Sequence, residues 1–320
     1  MPPHGAGTIR AAPSVRSTAV PAFDYARPGT LDEAVALLAT SDGRSRPLAG
    51  GTDLLVQLRA ERYELDLVVD VKAVAELNEL RLDPTAGLTF GAAVPCFRIY
   101  EDPRIQAAYP GLIDAVSIIG GIGIQGRATV GGNLCNAAPS AESIPALIVL
   151  GATCLIAGPS GRRTVPVEAF CTGPGATVLA SGELLVSVHV PPPTPRTGSY
   201  YLRFTPRNEM DIAVVGAGAW IALAEDGRTI ADARLALGAV APTPLVVDAA
   251  PALLVGTHGN DEALESAGQA ARDAARPITD MRGSAAQRRH LAGILAVRAL
   301  RGALARARGE SVEMHPEAGR

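Results

Sequence analysis

Two glycine pairs, each followed by a small polar residue, are the feature of this sequence that most clearly points to chemistry. They lie in AGGTD at residues 49–53 and in TVGGN at residues 129–133. Glycine lets a backbone approach a ligand closely and adopt positive φ, so successive N–H groups can point at an anion. Thr52 and Asn133 add side chains that can hydrogen-bond a phosphate or ribose oxygen. The pattern predicts backbone loops that hold the diphosphate of a dinucleotide.

The residues that follow the first loop strengthen this prediction. Asp53 stands just before LLV at residues 54–56, where a helix could start. The N-terminus of a helix carries partial positive charge and exposed N–H groups, which favour an anion. We therefore expect a helix to start just after the first glycine pair.

A competing motif, GIGIQG at residues 121–126, matches the G-x-G-x-x-G pattern letter by letter. The nicotinamide-dinucleotide fingerprint needs a strand before it and a helix after it. Here the preceding residues favour a helix, and residues 127–132 show no helix start. The acidic residue expected about 20 positions later would be Glu142, which lies in a loop broken by proline. We predict that this segment is not a Rossmann site, and that Gly216 and Gly218 reflect close packing in a strand.

Composition excludes several classes of function. The net charge is −3 and no block of Lys and Arg stands out, which argues against nucleic acid as a partner. No apolar run reaches the roughly 18 residues of a membrane span. The four cysteines form no CxxC pair and no metal-ligand spacing, so we expect reduced thiols, no metal site and a cytoplasmic location. Residues 1–20 lack the apolar core of a secretory signal.

The elements that must position the loops alternate irregularly between helix and strand. Thr30 and Glu33 form a capping-box pattern at the start of a helix. An Asp-Gly turn after the apolar residues 213–224 predicts a hairpin. Apolar patterning further predicts helices over 109–119, 144–150, 261–275 and 285–305, and strands over 65–71, 88–92, 153–157, 184–190 and 233–240. Because the order is not a strict βαβ repeat, the fold class is expected to be α+β.

The length of 320 residues exceeds the size at which a single core stops growing, roughly 250–300 residues, so several lobes are expected. The proline-rich residues 191–195 are the best boundary. We expect a flexible extension at residues 1–20 and a flexible tail at residues 309–320. Between them we expect a cofactor domain at residues 21–195, made of subdomains 21–75 and 76–195, and a C-terminal α+β domain at residues 196–308.

Five strings, in the same order, resemble segments of one flavoprotein family. They are PLAGGTDLL at 47–55, TVGGNL at 129–134, APSAE at 138–142, GELL at 182–185 and RNEMDIAV at 207–214. The chain resembles the FAD-binding (medium) subunits of the xanthine dehydrogenase and carbon monoxide dehydrogenase family, the molybdenum hydroxylases. The similarity of layout runs from about residue 23 to residue 305.

This resemblance implies a vanillyl-alcohol-oxidase (PCMH)-type fold, with FAD bound non-covalently between the two N-terminal subdomains and a third α+β domain behind. It implies that the cofactor-binding residues are Ala49, Gly50, Gly51, Thr52, Asp53, Leu54, Thr129, Val130, Gly131, Gly132, Asn133, Asn136, Glu142, Leu184, Leu185 and Arg203. Glu142 replaces the usual Asp of the family. Either Tyr200 or Tyr201 covers the flavin, and the sequence does not decide between them.

The resemblance also implies partners. A molybdopterin-binding large subunit would oxidise the organic substrate, and a [2Fe–2S] small subunit would pass electrons to FAD here, giving a heterotrimer. The acceptor would be NAD, a quinone, oxygen or another molecule, and we nominate no catalytic side chain. Two alternatives stay open. A stand-alone FAD- or NAD-dependent dehydrogenase would need a catalytic His, Tyr or acid beside the flavin, whereas a non-catalytic scaffold subunit would predict damaged glycine loops.

Overall fold

A computed structural model describes residues 22–40, 43–207 and 210–312 of the chain. The expected N-terminal extension, residues 1–20, lies outside the described residues, as do residues 313–320 of the expected tail. Within the described ranges, no helix combines the length and the apolar character that crossing a membrane requires.

The strands are β1 (Asp24–Ala26), β2 (Ser45–Leu48), β3 (Leu67–Asp70), β4 (Leu80–Asp83), β5 (Gly87–Gly91), β6 (Thr153–Gly158), β7 (Gly161–Pro166), β8 (Cys171–Gly173), β9 (Ala176–Thr177), β10 (Leu184–Val190), β11 (Thr197–Phe204), β12 (Val215–Leu223), β13 (Ile230–Gly238) and β14 (Leu245–Val246). The helices are α1 (Leu31–Ala39), α2 (Leu54–Arg59), α3 (Cys96–Tyr100), α4 (Pro103–Ala108), α5 (Pro110–Val116), α6 (Ile122–Gln125), α7 (Val130–Asn136), α8 (Ser143–Val149), α9 (Ala250–Leu254), α10 (Asp261–Ala274) and α11 (Ala285–Ala307). Helix and strand mix without a strict βαβ repeat, which confirms the α+β class.

The first sheet is small, parallel and ordered β1-β3-β2. Helix α1 packs on it through a buried stripe that includes Leu31 and Leu38. The predicted capping box is present: Thr30 Oγ1 accepts from the Glu33 N–H at 3.2 Å, and the Glu33 carboxylate accepts from the Thr30 N–H at 3.3 Å. Strand β2 runs directly into the first glycine loop, and α2 follows that loop, where the sequence predicted a helix start.

The second sheet is antiparallel, in the order β4-β5-β10-β6-β7. Helices α5, α7 and α8 contribute apolar side chains to one core with this sheet. Strand β10 is central, and its consecutive residues face different cores. Leu184 packs with the side chains of α1, whereas Leu185 packs into the core shared with α7 and α8. Through Leu184, this strand of the second sheet therefore packs against α1 and the first sheet.

The third sheet is an antiparallel meander, β11-β12-β13-β14, backed by α10 and α11. The predicted Asp-Gly hairpin is confirmed, because β12 pairs with β13 and Leu223 lies opposite Ile230. Close packing at Gly218 is also confirmed. A Cβ there would lie 2.8 Å from the backbone oxygen of Pro145, so the glycine lets α8 lie directly against the strand.

A buried ion pair joins the second and third sheets. Asp114 of α5 accepts from both terminal nitrogens of Arg306 of α11, at 2.5 and 3.0 Å. Their side chains are 0% and 8% exposed. Asp114 also accepts from the Tyr201 N–H of β11 at 3.2 Å. Because a buried charge is costly without its partner, this pair fixes α11 and β11 against α5.

One sequence expectation is wrong. Residues 127–132 were expected to contain no helix start, yet α7 begins at Val130. The glycine pair lowers the helix propensity of this stretch. A local cap and burial outweigh it: Thr129 Oγ1 accepts from the Gly132 N–H at 2.8 Å, and Val130 and Leu134 are fully buried.

Candidate functional site

The two glycine loops line one cleft of about 550 Å³, a size typical of small-molecule and cofactor sites. Its walls come from β2 and the loop into α2, from α7, from the β8–β9 turn and from the start of β10. Segments about 80 residues apart in sequence thus face one another.

Thirteen of the sixteen residues predicted to bind the cofactor line this cleft. They are Ala49, Gly50, Gly51, Thr52, Asp53, Leu54, Thr129, Gly131, Gly132, Asn133, Asn136, Leu184 and Leu185. The structure brings these residues together, and their contacts with FAD stay a prediction.

The other three predicted residues lie elsewhere. Val130 is fully buried in the core beneath α7. Glu142 and Arg203 are paired with each other at 2.6 Å, and both are buried. Burial raises the pKa of Glu142, and the Arg203 charge opposes that rise. None of these three residues lines the cleft, so their predicted contacts with the cofactor stay predictions.

The first loop has the features of an anion cradle. Among the described residues, no acceptor receives a hydrogen bond from the N–H groups of residues 50–53. Gly51 has φ +81°, and a Cβ at Gly50 would lie 2.0 Å from the backbone oxygen of Arg127. The guanidinium of Arg127 in turn donates to the Gly50 carbonyl at 3.2 and 3.3 Å. Four neighbouring donors without an acceptor thus lie on the wall of the cleft, and the conformation at Gly50 and Gly51 requires glycine.

The second loop places the start of α7 at the same cleft. A Cβ at Gly131 would lie 2.4 Å from the backbone oxygen of Ala92, so this glycine lets the helix lie directly on the second sheet. Asn133 Oδ1 accepts from the Ser143 hydroxyl at 2.6 Å. Asn136 Oδ1 accepts from Gln57 Nε2 of α2 at 2.8 Å, which ties the helices of the two loops together.

The charged side chains on the walls are few and distinct. Burial raises the pKa of Asp53. The Glu183 carboxylate is held by Arg163 at 2.6 and 2.8 Å, and that hydrogen bonding lowers its pKa. Arg46 stacks over the Tyr63 ring at 5.0 Å from the centroid. A cation thus stands on the wall of the cleft, where it can offset part of the charge of a diphosphate.

Neither tyrosine that was considered for the flavin lines the cleft. Tyr201 is buried, with 1% exposure, and burial raises its pKa. Tyr200 is half-buried, and Arg306 lies 4.6 Å from its ring centroid. The choice between them therefore stays open.

Sequence reasoning missed several wall residues, namely Arg46, Gln57, Tyr63, Gly175, Ala176, Thr177 and Ser181. The Gly-Pro-Gly turn at residues 173–175 was the one local signal, since such a turn marks a loop. Its Gly175 N–H donates to the Ala137 carbonyl at 3.0 Å, just beyond α7, which places the turn on the cleft.

The cleft fits the diphosphate of a dinucleotide. Its size, the four N–H donors without acceptors and the two close glycine contacts all suit an anion bound by backbone. Among the described residues, no group of three or more His, Cys, Asp or Glu side chains is arranged to hold a metal ion.

Comparison with known proteins identifies two family models along the chain. Residues 21–193 match the FAD binding domain in molybdopterin dehydrogenase, and residues 200–303 match the CO dehydrogenase flavoprotein C-terminal domain. The xanthine dehydrogenase FAD-binding subunit of Escherichia coli O157:H7 is 35% identical over 292 residues, which is 90% of this chain and 99% of the relative. The carbon monoxide dehydrogenase medium chain of Hydrogenophaga pseudoflava is 32% identical over 286 residues, which is 89% of this chain and 98% of the relative.

Two solved structures share the fold. A carbon monoxide dehydrogenase structure from Hydrogenophaga pseudoflava superposes with a TM-score of 0.86 and 32% identity, covering 90% of this chain and 99% of that chain. Quinoline 2-oxidoreductase from Pseudomonas putida 86 gives a TM-score of 0.84 and 31% identity, covering 91% and 99%.

Proposed function

This chain belongs to the family of FAD-binding subunits of molybdopterin dehydrogenases, and we propose that it is the electron-transfer subunit of such an oxidoreductase. Its α+β fold is of the PCMH type, as the sequence resemblance predicted. The observation that carries the proposal is the single cleft onto which both glycine loops open, with N–H donors that have no acceptor among the described residues.

In this proposal the N–H groups of residues 50–53 and the start of α7 hold the diphosphate of FAD. Arg46 adds a positive charge on the wall of the cleft, and Leu184 and Leu185 supply apolar contacts to a ring system. FAD supplies the redox chemistry, since it exchanges electrons singly or in pairs. The chain itself binds and orients the cofactor, so no general acid or base is required of it.

Partners are proposed on two grounds. The relatives are named as subunits or medium chains, so they act within larger assemblies. In this chain Ile122 and Met210 are 70% and 60% exposed, and the Met210 N–H donates to the carbonyl of Gly120, two residues before Ile122. Exposed apolar side chains of this kind suit a protein interface. We propose a heterotrimer with a molybdopterin-binding large subunit and a [2Fe–2S] small subunit.

The proposed path of electrons runs from the [2Fe–2S] subunit to FAD in this chain and then to NAD, a quinone, oxygen or another acceptor. All four cysteines are unpaired thiols, which supports the cytoplasmic location expected from the sequence.

The first experiment purifies the complex through a tag on this chain, records its absorption spectrum and quantifies FAD released by acid. We expect about one FAD per chain, because both glycine loops line the same cleft, together with molybdenum and iron from the partners. A chain that carries no flavin, even after incubation with FAD and in the presence of its partners, would contradict the proposal and favour a scaffold role.

The second experiment tests the electron path. The complex is reduced anaerobically with a limiting amount of dithionite, and the absorbance of the flavin and of the [2Fe–2S] clusters is followed after NAD, a quinone or oxygen is added. Reoxidation of the clusters by one acceptor, lost in a complex stripped of FAD, is the expected result. Equal reoxidation with and without FAD would show that electrons bypass this chain.

A further inference from the structure

Two hydrogen bonds from Ser143 hold the side chain of Asn133 in one orientation. Its Oδ1 accepts from the Ser143 hydroxyl at 2.6 Å and from the Ser143 backbone N–H at 3.4 Å. Ser143 is the first residue of α8 and is fully buried. Asn133 itself lies on the wall of the cleft.

The two contacts fix the positions of the oxygen and of the NH₂ group in the side-chain amide of Asn133. A backbone N–H can only donate, so the atom facing it must be the oxygen of the Asn133 amide. The reverse orientation would set the NH₂ group against that N–H and leave the buried Ser143 hydroxyl without this acceptor, at a cost typical of unsatisfied buried groups. The NH₂ group of Asn133 therefore points away from Ser143.

The surroundings of that NH₂ group reinforce the orientation. A carboxylate lies close by: burial raises the pKa of Glu142, and the charge of Arg203 and, to a smaller extent, the side chain of Asn133 oppose that rise. Glu142 is itself held by Arg203 at 2.6 Å. An NH₂ group carries two hydrogens, so one can serve a ligand in the cleft even where the other points at this carboxylate.

We propose that Ser143 is a positioning residue that makes Asn133 a hydrogen-bond donor to an acceptor oxygen of FAD. This inference rests on the proposed function. FAD offers acceptors along its whole length, in its diphosphate, its hydroxyls and its flavin carbonyls, so a fixed donor suits it. Ser143 does not line the cleft, so it acts on the cofactor only by orienting Asn133.

A double-mutant cycle on FAD affinity in the purified complex tests this order. Ser143→Ala is expected to weaken FAD binding by about two- to tenfold, the effect of one neutral hydrogen bond. The same substitution in an Asn133→Ala background is expected to have no further effect, because its target is gone. Ser117→Ala is the matched control, since its half-buried hydroxyl donates only to the Ile113 carbonyl at 2.7 Å. Additive losses in the double variant would overturn the proposal.

Asn133→Asp separates donor from acceptor. Aspartate has the same shape but only accepts, and its charge would repel an acceptor oxygen. We expect it to bind FAD more weakly than Asn133→Ala does, with thermal unfolding of the FAD-free variants measured alongside to separate stability from affinity. Tighter binding by the Asp variant would show that Asn133 accepts from the cofactor. A wild-type complex without FAD would overturn the proposed function, whereas FAD binding with an additive cycle would overturn this inference alone.

Discussion

Replacing Gly50 with alanine tests the geometry of the first loop directly. The new Cβ would lie 2.0 Å from the Arg127 oxygen and 2.7 Å from its carbon, whereas ordinary contact begins at 3.4 Å. The loop and residue 127 must therefore separate by roughly 1.4 Å, the difference between these two distances. Both contacts are backbone, so no flexible side chain can yield instead.

The cost follows from that displacement. Overpacking of this kind destabilises a protein by about 1–3 kcal/mol. A shift of this size also moves the N–H groups of residues 50–53 out of hydrogen-bond range of the diphosphate, and each such bond to a charged group contributes about 1.5–3 kcal/mol. Losing two of them predicts a loss of FAD affinity of about 100-fold or more.

Thermal unfolding with and without FAD provides the assay. At a FAD concentration 100 times the wild-type Kd, linkage stabilises the wild type by about 2.7 kcal/mol. A variant with 100-fold weaker binding would keep only about 0.4 kcal/mol of that stabilisation. Gly126→Ala is the matched control, because its Cβ meets nothing within 4 Å. If Gly50→Ala bound FAD within threefold of the wild type, the cradle would not depend on this contact and the reasoning would be refuted.

Three further predictions concern interactions that stabilise the folded chain. Asp114→Asn should lower the free energy of unfolding by about 3–5 kcal/mol in denaturant titrations, since Arg306 stays buried without its countercharge. The control is Arg301→Ala, which breaks the exposed pair of Arg301 and Asp261 and should change the free energy of unfolding by less than about 0.5 kcal/mol. Similar losses in both variants would contradict the argument. Thr129→Val removes the cap of α7 and should cost about 1 kcal/mol and weaken FAD binding, whereas Thr30→Val in α1 should cost a similar amount without changing FAD affinity. The N–H groups of Ala86 and Thr85 and the Thr85 hydroxyl lower the pKa of Asp83 from 3.8 to about 2, so its stabilisation is present above the unfolded pKa and is lost as pH falls from about 4 to about 2. Asp83→Ala should therefore lower the Tm near neutral pH by an amount that shrinks across that window, and a deficit independent of pH would count against this assignment.

Local sequence signals sufficed where neighbouring residues decide the conformation. The capping box at Thr30 and Glu33 and the Asp-Gly hairpin each depend on residues within a few positions of one another. The two glycine loops are likewise local, and they were enough to predict a dinucleotide site. The expected domain boundary at residues 191–195 stays a prediction.

Local propensity failed where burial outweighed it. The glycine pair of α7 argued against a helix, but Val130 and Leu134 gain more by packing into the core than the glycines lose. Nothing in the residues around Val130 shows how deep that core is.

The sequence by itself determined which residues form the loops, the caps and the turn, because those conformations depend on glycine, on short polar side chains and on their immediate neighbours. Only the tertiary structure decided which of these residues meet. Gln57 reaches Asn136 across 79 positions, and Arg203 pairs with Glu142 across 61. Contacts of this kind depend on how separate hydrophobic cores pack against one another, and no short window of sequence contains that information.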